Sequence, residues 1–182
     1  MDIPNTVYRI NENDQITFVN DQWTQFALAN DAPELAGNNV LSSDFWKFIT
    51  DDTTRFLYGQ LVKRAREGHK IQFQFRCDSA DLRRDVEMRM SRHPSGEVEF
   101  DVRVLSVVPR EPYDILYRRA KRSEDFIDAC SWCNRIKLDN ETWAEIDQAM
   151  EMVGAFKGDF VPQLSHGICG DCYTKMTGIF NT

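Results

Sequence analysis

The chain of 182 residues can hold one large domain, or one ordinary domain with a small appended module. It is 42% hydrophobic and 28% charged, a globular composition without a low-complexity tract. A formal charge of −7 argues against a sequence-independent grip on nucleic acid, which needs clustered Lys and Arg against phosphates. No stretch approaches the ~20 apolar residues that a membrane-spanning helix requires.

The opening MDIPNTVYRI has neither a basic n-region nor an apolar core, so no secretory signal is expected. The expected location is the cytoplasm, where thiols stay reduced and paired cysteines favour metal over disulfide. Residues 6–10 and 15–19 read as short strands joined by the turn-rich Asn11-Glu12-Asn13-Asp14. Asn20 or Asp21 then caps a helix carrying Trp23, Phe26 and Ala27 on one face. A loop around Pro33 and Gly37 leads to an aromatic helical piece at 44–49. Asp51 or Asp52 starts a firmer helix with Phe56, Leu57, Leu61 and Ala65 on one stripe, closed by Gly68.

Three strands follow with clean period-two patterning. Ile71, Phe73, Phe75 and Cys77 alternate with Gln72, Gln74 and Arg76; Val86, Met88 and Met90 alternate with Asp85, Glu87 and Arg89. Val98, Phe100, Val102 and Val104 alternate with Glu97, Glu99, Asp101 and Arg103. Such alternation predicts an antiparallel sheet with one buried and one wet face, with Pro94-Ser95-Gly96 as a hairpin turn. The predicted fold class is α+β: a five-stranded antiparallel sheet, residues 1–110, with its helices on one face.

Pro109 and Pro112 then fit near a helix start, and residues 111–129 read as a connecting helix. Tyr113, Leu116, Tyr117, Ala120 and Ile127 fall near one stripe of it. The basic run Arg118-Arg119-Ala120-Lys121-Arg122 reads as its solvated face.

Residues 130–182 form a cysteine module, expected to be mainly helical. Its helices are predicted at 141–153, with Trp143, Ile146 and Met150, and after Cys169, with Tyr173, Met176 and Ile179. Cys130 and Cys133 make one C-x2-C pair and Cys169 and Cys172 another. Two such knuckles supply the tetrahedral S4 set that structural zinc prefers, and a module this small benefits from a metal staple. A second reading is a dithiol redox switch, since Trp132 beside a thiol resembles thioredoxin-like sites. The second C-x2-C pair and the lack of a βαβ context weigh against it. A third reading makes the four ordinary core residues. His166 could take a ligand position or donate a hydrogen bond to a sulfur, and Cys77 reads as a small buried hydrophobe. Haem attachment would need CxxCH, whereas Asn134 and Tyr173 follow the two pairs.

The order strand, strand, short helices, three strands resembles the PAS fold. ITFVNDQWTQFA resembles the PAS stretch in which the second strand delivers an Asn into the first helix. FWKFITDDTTRFLYGQL and FQFRCDSADLRRDVEMRM, followed by CSWC and SHGIC, resemble a family of small bacterial PAS-containing proteins. The resemblance implies a sensor domain, with a candidate pocket for a small organic ligand among Trp23, Phe26, Phe45, Trp46, Phe48, Phe56, Phe73, Phe75, Met88 and Phe100; a filled core is the alternative. It also implies a homodimer, against which stands a monomer whose connecting helix bridges the two parts. The middle helices lack the reactive Cys of flavin-adduct relatives, and 53–67 lacks the haem-ligating His, leaving only His69 beyond it.

No P-loop, GxSxG, HExxH or dinucleotide fingerprint is present. The expectation is therefore a non-enzymatic sensory or protein-interaction protein with a protein partner, no nucleic acid and no membrane. A thiol redox switch or oxidoreductase is the alternative, and a transcriptional regulator, disfavoured by the charge, a third.

Overall fold

A computed structural model of the chain describes residues 4–153 and 160–181. The first part runs β1 (Thr6–Ile10), β2 (Ile16–Val19) and α1 (Asp21–Ala29). Short 3-10 turns follow at Pro33–Leu35, Gly37–Val40 and Phe45–Phe48, then α2 (Asp52–Arg66), β3 (Ile71–Arg76), β4 (Leu82–Arg92) and β5 (Val98–Pro109). The strands form an antiparallel five-stranded sheet in the order β2-β1-β5-β4-β3.

Local chemistry sets these boundaries. The Asn20 side chain accepts the Trp23 N–H (3.0 Å) and the Val7 N–H (3.1 Å), so one residue caps α1 and ties it to β1. Asp51 caps α2 by accepting the Thr54 N–H at 2.6 Å, and Gly68 takes the φ of +97° that ends the segment. The core between α2 and the sheet holds Leu57, Leu61, Met90, Val98 and Phe100, with the Tyr8 and Phe100 rings stacked 4.4 Å apart.

The α2 stripe differs from expectation at Phe56, which is 58% exposed. Its buried face runs through Thr54, Leu57, Leu61, Val62 and Ala65, so Phe56 lies just off it. The inward phase of β3 and β4 is as expected at Ile71, Phe73, Val86, Met88 and Met90. Arg76 and Glu87, on the wet phase, are nevertheless buried: Arg76 lies under the second part of the chain, and Glu87 accepts from Gln72 and Arg89.

The second part corrects several expectations. Residues 111–129 are not a helix: a single 3-10 turn (Asp114–Leu116) leads into β6 (Arg122–Cys130). Of the expected stripe, Tyr113, Leu116, Ala120 and Ile127 are half-buried against the second core, Tyr117 is 42% exposed, and Ile115, off that stripe, is the fully buried residue. The basic run is no helix face either. Arg118 pairs with Glu34, and the Arg122 guanidinium donates to the carbonyls of Ile115, Tyr117 and Pro162. The module is also not mainly helical. After β6 come β7 (Ile136–Lys137), β8 (Trp143–Ala144), α3 (Ile146–Val153), β9 (Val161–Gly167), α4 (Gly170–Gly178) and a 3-10 turn (Ile179–Asn181). Its four-stranded sheet has the order β8-β7-β6-β9, so Trp143, expected in a helix, sits on a strand. Strands β6 and β9 are parallel, joined by a crossover that contains α3; a βαβ-type connection is therefore present after all.

Candidate metal centre

Parallel pairing of β6 and β9 places Cys130 opposite Gly167, so both C-x2-C segments leave the same end of neighbouring strands. The first turns back at once. The Asn134 N–H donates to the Cys130 carbonyl (2.9 Å), and the Cys130 N–H donates to the Arg135 carbonyl (2.8 Å). This tight turn needs a left-handed residue, and Asn134 supplies φ +57°. The Ser131 N–H donates to the Gly167 carbonyl (2.9 Å), locking the turn to β9. In the second segment Cys169 is the N-cap of α4, and Cys172 lies in its first turn.

The result is a cluster in which the sulfurs of Cys130, Cys133, Cys169 and Cys172 all lie within 4.8 Å of one another. Cys130, Cys169 and Cys172 are buried and Cys133 half-buried. The sulfurs of Cys133 and Cys169 are 3.7 Å apart, well beyond the roughly 2.05 Å of a disulfide. All four are free thiols.

Hydrogen bonds from the Cys133 and Cys172 thiols, with the backbone N–H groups of Cys169 and Cys133, hold the Cys130 thiol far below its ordinary range. The same contact with Cys130 pushes the Cys133 thiol up to about 12, and contact with Cys130 and then Cys133 also pushes the Cys172 thiol up. The cluster thus carries a thiolate that its neighbours solvate with their own protons. A cation at the centre lets all become ligands at once. Backbone N–H groups aimed at sulfur offset the resulting negative charge, as does the N-terminus of α4. The Arg135 guanidinium adds a positive charge nearby, held by Asp171 at 3.0 Å. Four soft sulfurs within 4.8 Å of one another, with donors already in place, can hold a metal ion.

His166 is exposed on β9 and is not part of the four-sulfur group. His69 is exposed after α2. Cys77 is a wall of a separate cavity, its thiol pushed up chiefly by burial.

The cysteine cluster is welded to the first part through Trp132. Its carbonyl accepts the Arg76 N–H (2.8 Å) at the end of edge strand β3, and its ring lies 5.5 Å from that of Tyr58 on α2. Cys130, Cys169, Cys172 and Met176 accordingly share one buried cluster with Leu57, Leu61 and Phe100. Around Trp132, the Arg76 guanidinium binds both Asp78 and Glu145, and Asp78 also accepts from Arg110 at 3.1 Å.

Of the candidate pocket residues, Trp23, Phe26, Phe75 and Met88 line a cavity of about 330 Å³ between α1 and the sheet. Phe45, Phe73 and Phe100 are instead packed in the core, and Trp46 donates its indole N–H to Asp14 at 2.8 Å. Phe48 and Phe56 are 44% and 58% exposed and belong to no interior pocket. Sequence reasoning missed Tyr58, Cys77 and Arg84 in the cavity wall. Arg84 shares the phase of Val86, Met88 and Met90, so a cation on an inward phase was the available signal.

No helix among the described residues is long and apolar enough to cross a membrane. No protein-family model matches the chain, and no curated protein is similar enough to count as a relative.

Proposed function

We propose that the chain is a non-enzymatic, cytoplasmic sensory or protein-interaction protein. In this reading a PAS-like domain is coupled to a module stapled by structural zinc through Cys130, Cys133, Cys169 and Cys172. The observation that carries it is the single buried cluster running from the five-stranded sheet through Trp132 to the four sulfurs. Strand order, inserted helices and an Asn leading from β2 into α1 support the PAS-like part. A four-thiolate zinc is coordinatively closed and leaves no position for a reacting water, which favours a structural role. Signal would pass from the cavity beside α1, through Tyr58 and Trp132, to the module's surface and a protein partner. A ligand can shift that surface only by binding two arrangements unequally. A homodimer is the expected assembly.

The dithiol alternative retains two supporting observations, the 3.7 Å approach of Cys133 to Cys169 and the βαβ-type connection between β6 and β9. One experiment separates the two: zinc content and thiol titration of protein purified without chelator. One zinc per chain, with Cys130, Cys133, Cys169 and Cys172 reactive only after chelation, supports the zinc reading. Metal-free protein whose thiols cycle with thioredoxin would sink it.

A further inference from the structure

The centre of the sheet–helix interior is filled by Phe45, Phe73 and Phe100, and the open space lies to one side, against Trp23, Phe26 and Ala27 of α1. Most of its walls are aliphatic or aromatic, and none of its lining residues carries a carboxylate. One lining residue is a permanent cation. Arg84 extends from the inward phase of β4, its guanidinium carbon 5.6 Å from the centre of the Phe26 ring. Its side chain has a single hydrogen bond among the described residues, a long 3.4 Å donation to the Cys77 carbonyl.

Its surroundings leave Arg84 without a counter-charge. Asp78, close in the fold, accepts the Arg84 backbone N–H at 3.1 Å, but its carboxylate is taken by the guanidinium groups of Arg76 and Arg110. A guanidinium has five donors in a fixed fork that matches a carboxylate bidentately. Here that fork borders an apolar hollow large enough for a small ligand. Cavity and cation together describe a complementary molecule with one anionic head and an apolar body.

We propose that this cavity binds a small amphiphilic carboxylate, its head on Arg84 and its apolar body between Trp23, Val86 and Met88. The proposal deepens the sensory reading and rests on it for the biological use of the ligand; the binding is testable apart from the metal.

The test is calorimetric titration of the full-length, zinc-loaded protein with sodium octanoate, 1-octanol and sodium acetate. Octanoate is expected to bind at least tenfold more tightly than octanol, and acetate not measurably, because an ion-assisted hydrogen bond is added to the apolar contact. Arg84→Met should weaken octanoate about tenfold or more and leave octanol unchanged, while Arg84→Lys retains most of the preference. If Arg84→Met fails to fold, the wild-type octanoate-to-octanol ratio and Arg84→Lys decide. Equal binding of octanoate and octanol, or octanoate binding unchanged in Arg84→Met, would overturn the site. Wild-type protein that holds its zinc yet ignores octanoate overturns the anion site too, and leaves the metal-module reading standing.

Discussion

Asn134 takes a left-handed φ of +57° in the turn that brings Cys133 back toward Cys130. A β-carbon in that region costs roughly 1–2 kcal/mol unless a short polar side chain or glycine occupies it. Asn134→Ala should therefore lower the stability of the zinc-loaded protein by about 1 kcal/mol, and Asn134→Gly by less, as read by chemical denaturation. The thiols make a second residue-scale prediction. Cys133, pushed up to about 12, and Cys172, also pushed up, hold their protons at neutral pH until a metal displaces them. Metal binding must expel at least these two protons, so affinity rises with pH and falls as pH drops. Competition titrations between pH 6 and 8 should show a slope of at least about two logarithmic units per pH unit. A flat profile would mean that the thiols are already ionised. Cys77, outside the cluster, predicts the reverse control: Cys77→Ser should leave metal stoichiometry unchanged.

Among the elements, the parallel pair β6–β9 positions the centre and Trp132 anchors it. Trp132 is 3% exposed, against Tyr58 and under Arg76. Trp132→Ala should cost about 3–5 kcal/mol, the range for emptying a buried aromatic site, and should loosen the module from β3. Backbone amides at the β3 edge would then exchange faster, while those of β1 would not. Asp78, with a side chain 1% exposed between two arginines, should matter more than the half-exposed Glu145. Asp78→Ala leaves a buried guanidinium short of its partner and is expected to cost about 3–5 kcal/mol, Glu145→Gln clearly less.

The uneven legibility of these elements has a physical basis. Strands β1 to β5, the caps at Asn20 and Asp51 and the four cysteines were readable, because period-two burial, side-chain caps and C-x2-C spacing are local signals. Strand β6 was not. Its main partner β9 begins at Val161, far along the chain, and the apolar stripe of residues 113–127 suited a helix equally well. The helix expected over 141–153 lost its first turns to β8 for a different reason: Asp139, expected as a helix cap, accepts the Glu141 and Thr142 N–H groups in a turn that folds Trp143 back onto Lys137. Arg84 was hidden by the polar sequence around it, although its strand phase pointed inward.

For the whole molecule, the consequence is a second core that leans on the first. Ile115, Ala129, Ile136, Ala144, Ile146, Ala149 and Val161 make a modest apolar cluster, and the sulfurs lie where it meets the larger one. Removing the metal should therefore lower the melting temperature of the entire chain, and chelated protein should lose protection first in β6, β9 and α4. Melting that is unaffected by chelation would separate the centre from the fold. The most direct test of the four-sulfur centre is X-ray absorption at the zinc edge of the purified protein. The account predicts four sulfur neighbours at about 2.3 Å and no lighter atom in the coordination sphere. Fewer than four sulfurs, or a nitrogen or oxygen among the ligands, would contradict it.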